Sequence, residues 1–269
     1  MDRMFDDVTR HVHLLKYADL SKRVDSLVAL NDMIGALNDH TQPVLVRAAN
    51  DLIGAFIHVL IDIFEKNSVE EINLRFAKYF ISIVLKVCST VEIMSEASYE
   101  RVVDLSEQLL TKLLIENLDK VGENKEGETL QRNLNSAMLR ILENCNHTYM
   151  ICSLIDLMRK YKDYPSLPKM STLLVKCLMK LSKIIEKLID KLDIQRILLS
   201  MHEYMLVINN ENRGANDEAG VRILKTMLNE FIKLRREQIW EAYSVIKCHG
   251  STDHHINKWI DMIIKSLNQ

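Results

Sequence analysis

The chain has 269 residues, with 35 Lys and Arg against 37 Asp and Glu, and is close to neutral at pH 7. That balance argues against a general nucleic-acid or anionic-membrane binder, which needs a basic excess. Its 48% hydrophobic and 27% charged residues supply both a core and a solvated surface, and only 7 Gly and 3 Pro are present, too few turn formers for a sandwich, barrel or doubly wound sheet.

Apolar residues recur at steps of three and four along almost the whole chain, the mark of helices with one buried side. The first helix carries Met4, Phe5 and Val8, and a second begins near Asp19 with Val24, Leu27, Leu30 and Ile34 on its buried side. A third starts at Pro43, with Thr41 as its cap, and runs through Val46, Ile53, Phe56, Leu60 and Ile63. Ser68 and Glu71 form a capping-box pattern ahead of Leu74, Ala77, Ile81, Val84 and Cys88. A fifth helix follows Ser98 with Val102, Leu105, Leu109 and Leu113, and Gly122–Gly127 ends it. Beyond lie helices with Leu130, Leu134, Met138 and Ile141, then Ile151, Leu154 and Met158, before the Tyr164–Pro168 punctuation. Leu174 to Leu188 and Ile194 to Met205 continue the pattern up to the polar loop Asn209–Asn216. The last three helices carry Val221 to Phe231, then Trp240 and Tyr243, then Ile256 to Leu267.

About twelve helices joined by short connections predict a single all-α domain over 1–269. Its period matches the roughly 40–47 residues of HEAT and armadillo hairpins. Six hairpins then form an α-solenoid whose within-hairpin turns line one edge, the natural place for a partner. A bundle of unrelated helices is the alternative.

Chemistry-bearing motifs are sparse. Neither a phosphate-binding glycine loop nor a nucleophile elbow occurs, so no enzyme and no cofactor is expected. Cys248, His249, His254 and His255 are the best metal candidate, read here as a histidine-rich turn with no metal; a metal-dependent enzyme or metal-stabilised helical domain is the competing class. The five dispersed cysteines, lacking any C-x-x-C, suggest buried thiols in a reducing compartment. Lys176, Lys180, Lys183, Lys187 and Lys191 make a basic stripe, read as the solvated side of one helix. The 13 methionines are read as packing residues.

The helix Phe5–Tyr17, its short turn and the stretch Asp19-Leu20-Ser21-Lys22-Arg23-Val24-Asp25-Ser26-Leu27-Val28-Ala29-Leu30 resemble the first repeat of a TOG domain. This is the six-HEAT-repeat array of the microtubule polymerases of the mini spindles and ch-TOG family. Leu192–Leu199, Met201-His202, Ile223–Leu228 and Lys233-Leu234 are more similar to the divergent TOG-like domain near the carboxyl terminus of those polymerases. Tubulin-binding members carry a tryptophan in the first turn followed by basic residues; Lys22 and Arg23 match, but the tryptophan position reads Leu20.

The resemblance implies a non-catalytic interaction domain of a large modular cytoskeletal protein, at spindle poles, centrosomes or growing microtubule ends in the cytoplasm. Its implied partners are proteins: a TACC-type adaptor or another spindle or centrosomal protein, with tubulin weak or absent, and neither nucleic acid nor membrane. Direct capture of tubulin, with Leu20 as a weaker apolar anchor, is the second reading. Candidate contact residues are Leu20, Lys22 and Arg23 on the first turn, Lys125 on the third, Lys162 and Lys169 on the fourth and Arg213 on the fifth.

Overall fold

The structure is a computed structural model that describes residues 2–36, 38, 40–65, 73–122, 125–162, 167, 169–209, 215–247 and 255–267. Among them every regular element is helical, as the periodicity predicts. Two compact units are distinguished, Met1–Asn146 and His147–Gln269.

The first unit contains α1 (Asp2–Tyr17), α2 (Leu20–Gly35), the short α3 (Gln42–Arg47), α4 (Ala49–Glu65), α5 (Leu74–Ser89), the short α6 (Val91–Met94), α7 (Tyr99–Leu113) and α8 (Glu126–Asn144). Packing sorts them into two layers: α1 meets α4 and α4 meets α7 in one, while α2 meets α5 and α5 meets α8 in the other. Each long helix therefore joins its chain neighbour into a hairpin, and successive hairpins stack in the same direction. Side-chain bonds fix that direction. Arg23 at the start of α2 reaches Asp62 near the end of α4, and Lys78 at the start of α5 lies 2.8 Å from Glu126 at the start of α8. At the opposite ends, Lys86 of α5 meets Asn31 of α2, and the Asn144 amide of α8 donates to the Cys88 carbonyl of α5 at 2.8 Å. The first three within-hairpin connections thus share one edge of this unit.

The buried faces follow from residue type. Leu15, Leu27, Leu30, Leu52, Ile53, Phe56, Leu60, Phe80 and Ile81 are all fully enclosed, each contributing about 1.5–3 kcal/mol by leaving water. Phe56 and Phe80 meet edge to face with centroids 5.6 Å apart, which ties α4 to α5 through the geometry that aromatic quadrupoles favour.

Three local expectations change. The helix expected from Pro43 is two helices separated at Ala48, and Thr41 does not cap: its hydroxyl donates to the Ala36 carbonyl instead. Asn73 caps α5, accepting the Phe76 amide at 3.1 Å, whereas Ser68 and Glu71 lie outside the described residues. Val24, expected in the core, is exposed because α2 begins a layer and only its other side is covered.

The second unit repeats the plan with α9 (His147–Lys160), α10 (Met170–Ser182), the short α11 (Ile185–Leu188), α12 (Ile194–Asn209), α13 (Ala215–Arg235), α14 (Ile239–Lys247) and α15 (His255–Leu267). Helices α9, α12 and α14 form one layer and α10, α13 and α15 the other. Parallel stacking is again visible in bonds: the Asp193 amide ahead of α12 donates to Thr148 of α9, and Arg159 near the end of α9 pairs with Glu203 of α12 at 2.5 Å. Met150, Met158, Met170, Met201, Met205 and Met227 are buried, which bears out their reading as packing residues. The lysine stripe is exposed as expected but does not run along one helix. Helix α10 stops at Ser182, and a turn at Lys183 and Ile184 separates it from α11.

Each unit is therefore two layers of stacked helices, a packing compatible with a HEAT-type solenoid. No described helix is long and apolar enough to cross a membrane.

Candidate functional site

The candidate surface of the first unit is the edge where α1 hands over to α2, α4 to α5 and α7 to α8. At the first turn, Asp19 accepts the Lys22 amide at 3.1 Å and so caps α2, a bond that holds its carboxyl below the usual carboxylate range. Leu20, the first residue of α2, is 48% exposed, and the Lys22 ammonium projects into solvent 3.4 Å from Asp19.

Arg23 is different. Its side chain is only 15% exposed, ion-paired with Asp62 and donating to the Lys16 carbonyl at 3.2 Å. Successive helical residues differ by about 100° in direction, so Lys22 faces outward while Arg23 faces α4. The expectation that Arg23 is a contact residue is corrected on this geometry: it braces α1, α2 and α4.

The third connection reaches the same edge through left-handed backbone at Asn117, Gly122 and Lys125, with φ of 60°, 77° and 62°. Gly122 lies against α5, since a Cβ there would come within 2.4 Å of a Leu74 methyl. Lys125 precedes α8 with its side chain 83% exposed and its ammonium 3.8 Å from Glu128. Leu20, Lys22 and Lys125 are thus exposed on one edge of the first unit.

In the second unit, Lys162 is half-buried at the end of α9, and Lys169 is exposed at the N-cap of α10, making no side-chain capping bond. Arg213 lies outside the described residues, as do Cys248, His249 and His254, and His255 has no described side chain. Among the described residues no cluster of His, Cys, Asp or Glu is arranged to hold a metal ion.

Sequence reasoning missed Tyr17. It is the last residue of α1, 70% exposed, with its ring 4.8 Å from His13 and 6.1 Å from His58. Its position one residue before the first turn was the available signal. The two tryptophans do not serve the edge: Trp240 packs against Tyr243, and Trp259 lies under the Lys225 ammonium, within the second unit.

The four described thiols are buried. Cys145 is pushed up to about 12 and Cys152 and Cys177 to about 11 by burial, and Cys88 is raised by burial and by its neighbour Cys145. Since the thiolate is the reactive form, these four stay unlabelled by a thiol reagent in the native protein at pH 8 and react fully once it is unfolded. Counting labelled peptides by mass spectrometry checks this.

His147 opens α9, and its pKa is lowered by burial and then by Lys191. Below about pH 6.5 the unfolded chain therefore takes up a proton that the folded chain resists. The stabilisation from neutral His147 is complete above that pH and is lost as pH falls toward the folded value. The thermal midpoint accordingly drops between pH 7.5 and 5.5, and the drop is smaller in His147→Gln.

Comparison with known proteins gives a consistent picture. The chain is 28% identical over 259 residues to Protein MOR1 of Arabidopsis thaliana, an alignment covering 89% of the chain and 13% of that protein. It is 24% identical to Centrosomal protein 224 of Dictyostelium discoideum over 99% of the chain and 14% of the relative. Against Protein mini spindles of Drosophila melanogaster it is 28% identical over 139 residues, 51% of the chain and 6% of the relative. The chain thus spans about one eighth of the length of the first of these. No family model and no solved structure matches. These matches bear out the resemblance to the TOG-domain polymerases: the chain is homologous to a segment of the MOR1 and mini spindles proteins.

Proposed function

We propose that residues 1–269 act as one non-catalytic interaction module of a microtubule-associated protein, recruiting protein partners at spindle poles, centrosomes or growing microtubule ends. The observation that carries this reading is the exposed edge of the first unit, where Tyr17, Leu20, Lys22 and Lys125 stand outside a fully packed core. An exposed aromatic and an aliphatic residue flanked by lysines suit an acidic protein surface, with Tyr17 as the anchor. Homology to proteins named for spindles and centrosomes supports the cellular setting. The preferred partner is a TACC-type coiled-coil adaptor. Lys162 and Lys169 extend the proposal to the second unit.

Direct capture of tubulin is a second reading that Tyr17 favours, because an aromatic residue stands beside Leu20 at the first turn. Size-exclusion chromatography at micromolar concentration separates the two. Under the preferred reading the chain co-elutes with a purified TACC-type coiled coil and not with unpolymerised tubulin, and Tyr17→Ser with Lys22→Glu and Lys125→Glu weakens the complex at least tenfold. Co-elution with tubulin that is lost in Tyr17→Ser selects the second reading. An adaptor affinity untouched by the triple variant means that this edge is the wrong surface.

A further inference from the structure

A second surface of a different kind lies in the other unit, where α13 ends against α15. A half-open groove of about 740 Å³ runs between the two, its apolar lining including Leu234, Ile264 and Leu267. Leu234 and Leu267 are 38% and 46% exposed, so the groove sets solvent-exposed aliphatic side chains beside a lining that is otherwise largely polar. Lys233, Arg235, Arg236 and Glu237 are the charged residues of its lining. Lys233 is tied to Glu230 at 2.8 Å and Arg235 to Asp190 at 2.9 Å. Exposed Arg236 has no carboxylate partner among the described residues.

Arg236 also carries backbone strain. Its φ is 47°, a left-handed conformation that residues other than glycine rarely hold. Strain of this kind at a surface groove points to a constraint beyond folding. It turns α13 into the 3-10 turn Arg236–Gln238, which forms part of the groove's wall.

We propose that this groove binds an acidic, leucine-bearing peptide segment of a partner protein. A leucine-type side chain enters against Leu234, Ile264 and Leu267, and an adjacent carboxylate meets Arg236. Charge complementarity selects the occupant: the Arg236 guanidinium, unpaired among the described residues, beside the exposed Leu234 and Leu267 fits a carboxylate next to an aliphatic side chain. Nucleic acid fits poorly, because two of the three cations are already ion-paired and one free guanidinium is little to hold a phosphate backbone. A small molecule would remain largely exposed in so open a site, whereas pockets for such ligands bury most of the ligand surface.

The test is fluorescence anisotropy with the intact chain and a fluorescein-labelled peptide, Glu-Glu-Leu-Glu-Glu-Leu-Glu-Glu. Saturable micromolar binding is expected, and it should fall at least tenfold when lysine replaces glutamate or alanine replaces leucine in the probe. Arg236→Gly removes the guanidinium while suiting the positive φ, so it should keep or raise the melting temperature yet weaken binding at least tenfold. Leu234→Ser should weaken binding similarly. The proposal fails if the probe does not saturate, if Arg236→Gly binds as the wild type does, or if the lysine peptide binds equally. Light scattering that shows a dimer abolished by Leu234→Ser would instead assign the groove to a second copy of the chain.

Discussion

Gly127→Ala unfolds the first unit at a temperature well below that of the wild type. Gly127 sits in the first turn of α8, and a Cβ there would fall 2.0 Å from the Leu118 carbonyl oxygen and 2.9 Å from that of Val121. Both obstacles are backbone, so no rotamer change relieves them. The Gly127 amide also donates to the Val121 carbonyl at 3.0 Å, and moving the helix to make room would stretch that bond. Overpacking in a close-packed site costs about 1–3 kcal/mol, and the upper end applies where only backbone can move. At about 2–4 °C per kcal/mol for a protein of this size, the midpoint falls by roughly 6–12 °C. Gly35→Ala is the control. Nothing lies within 4 Å of its Cβ position, so it should be neutral or stabilise by about 0.4–1 kcal/mol through the unfolded chain. Equal midpoints for the two variants in a calorimetric scan would refute the close-approach account.

The second large effect is expected at Arg23 and Asp62. Their side chains are 15% and 16% exposed, and the pair joins the first hairpin to the second. Asp62→Ala leaves a guanidinium in a largely dry site with the Lys16 carbonyl as its remaining partner, and breaking a buried pair from one side costs about 3–5 kcal/mol. Replacing both partners by apolar residues, Arg23→Met with Asp62→Leu, should cost markedly less, because no charge is stranded. Urea denaturation of the two single variants and the double variant measures this. Additive losses would show that the two charges act independently, contrary to the structure.

The two outcomes bear on what the sequence disclosed. Helices and hairpins were legible because each buried face repeats at three and four, and the described boundaries keep the expected pairing of α1 with α2, α7 with α8 and α12 with α13. Arg23 was misread because Lys22 and Arg23 look alike as adjacent cations, and only helical phase against α4 separates solvent from a salt bridge. Val24 has the spacing of a core residue, yet which side of α2 is covered depends on where that helix stands in its layer. The break at Lys183 and Ile184 carries neither proline nor glycine, so the lysine stripe read as one helix. Tyr17 stands at the end of α1, three residues before Leu20, so its exposure depends on where that helix stops and is not visible in the motif.

The layered packing has a consequence for how these units form. Within each, a long helix meets the equivalents one repeat before or after, and side-chain bonds between repeats close over 39 to 56 residues. Closing loops of that length costs entropy that grows only logarithmically with length, so one repeat can dock on its neighbour without waiting for distant segments. The main contacts of α1 are with α2, α3 and α4, so this end of the first unit acquires order without a contribution from α7.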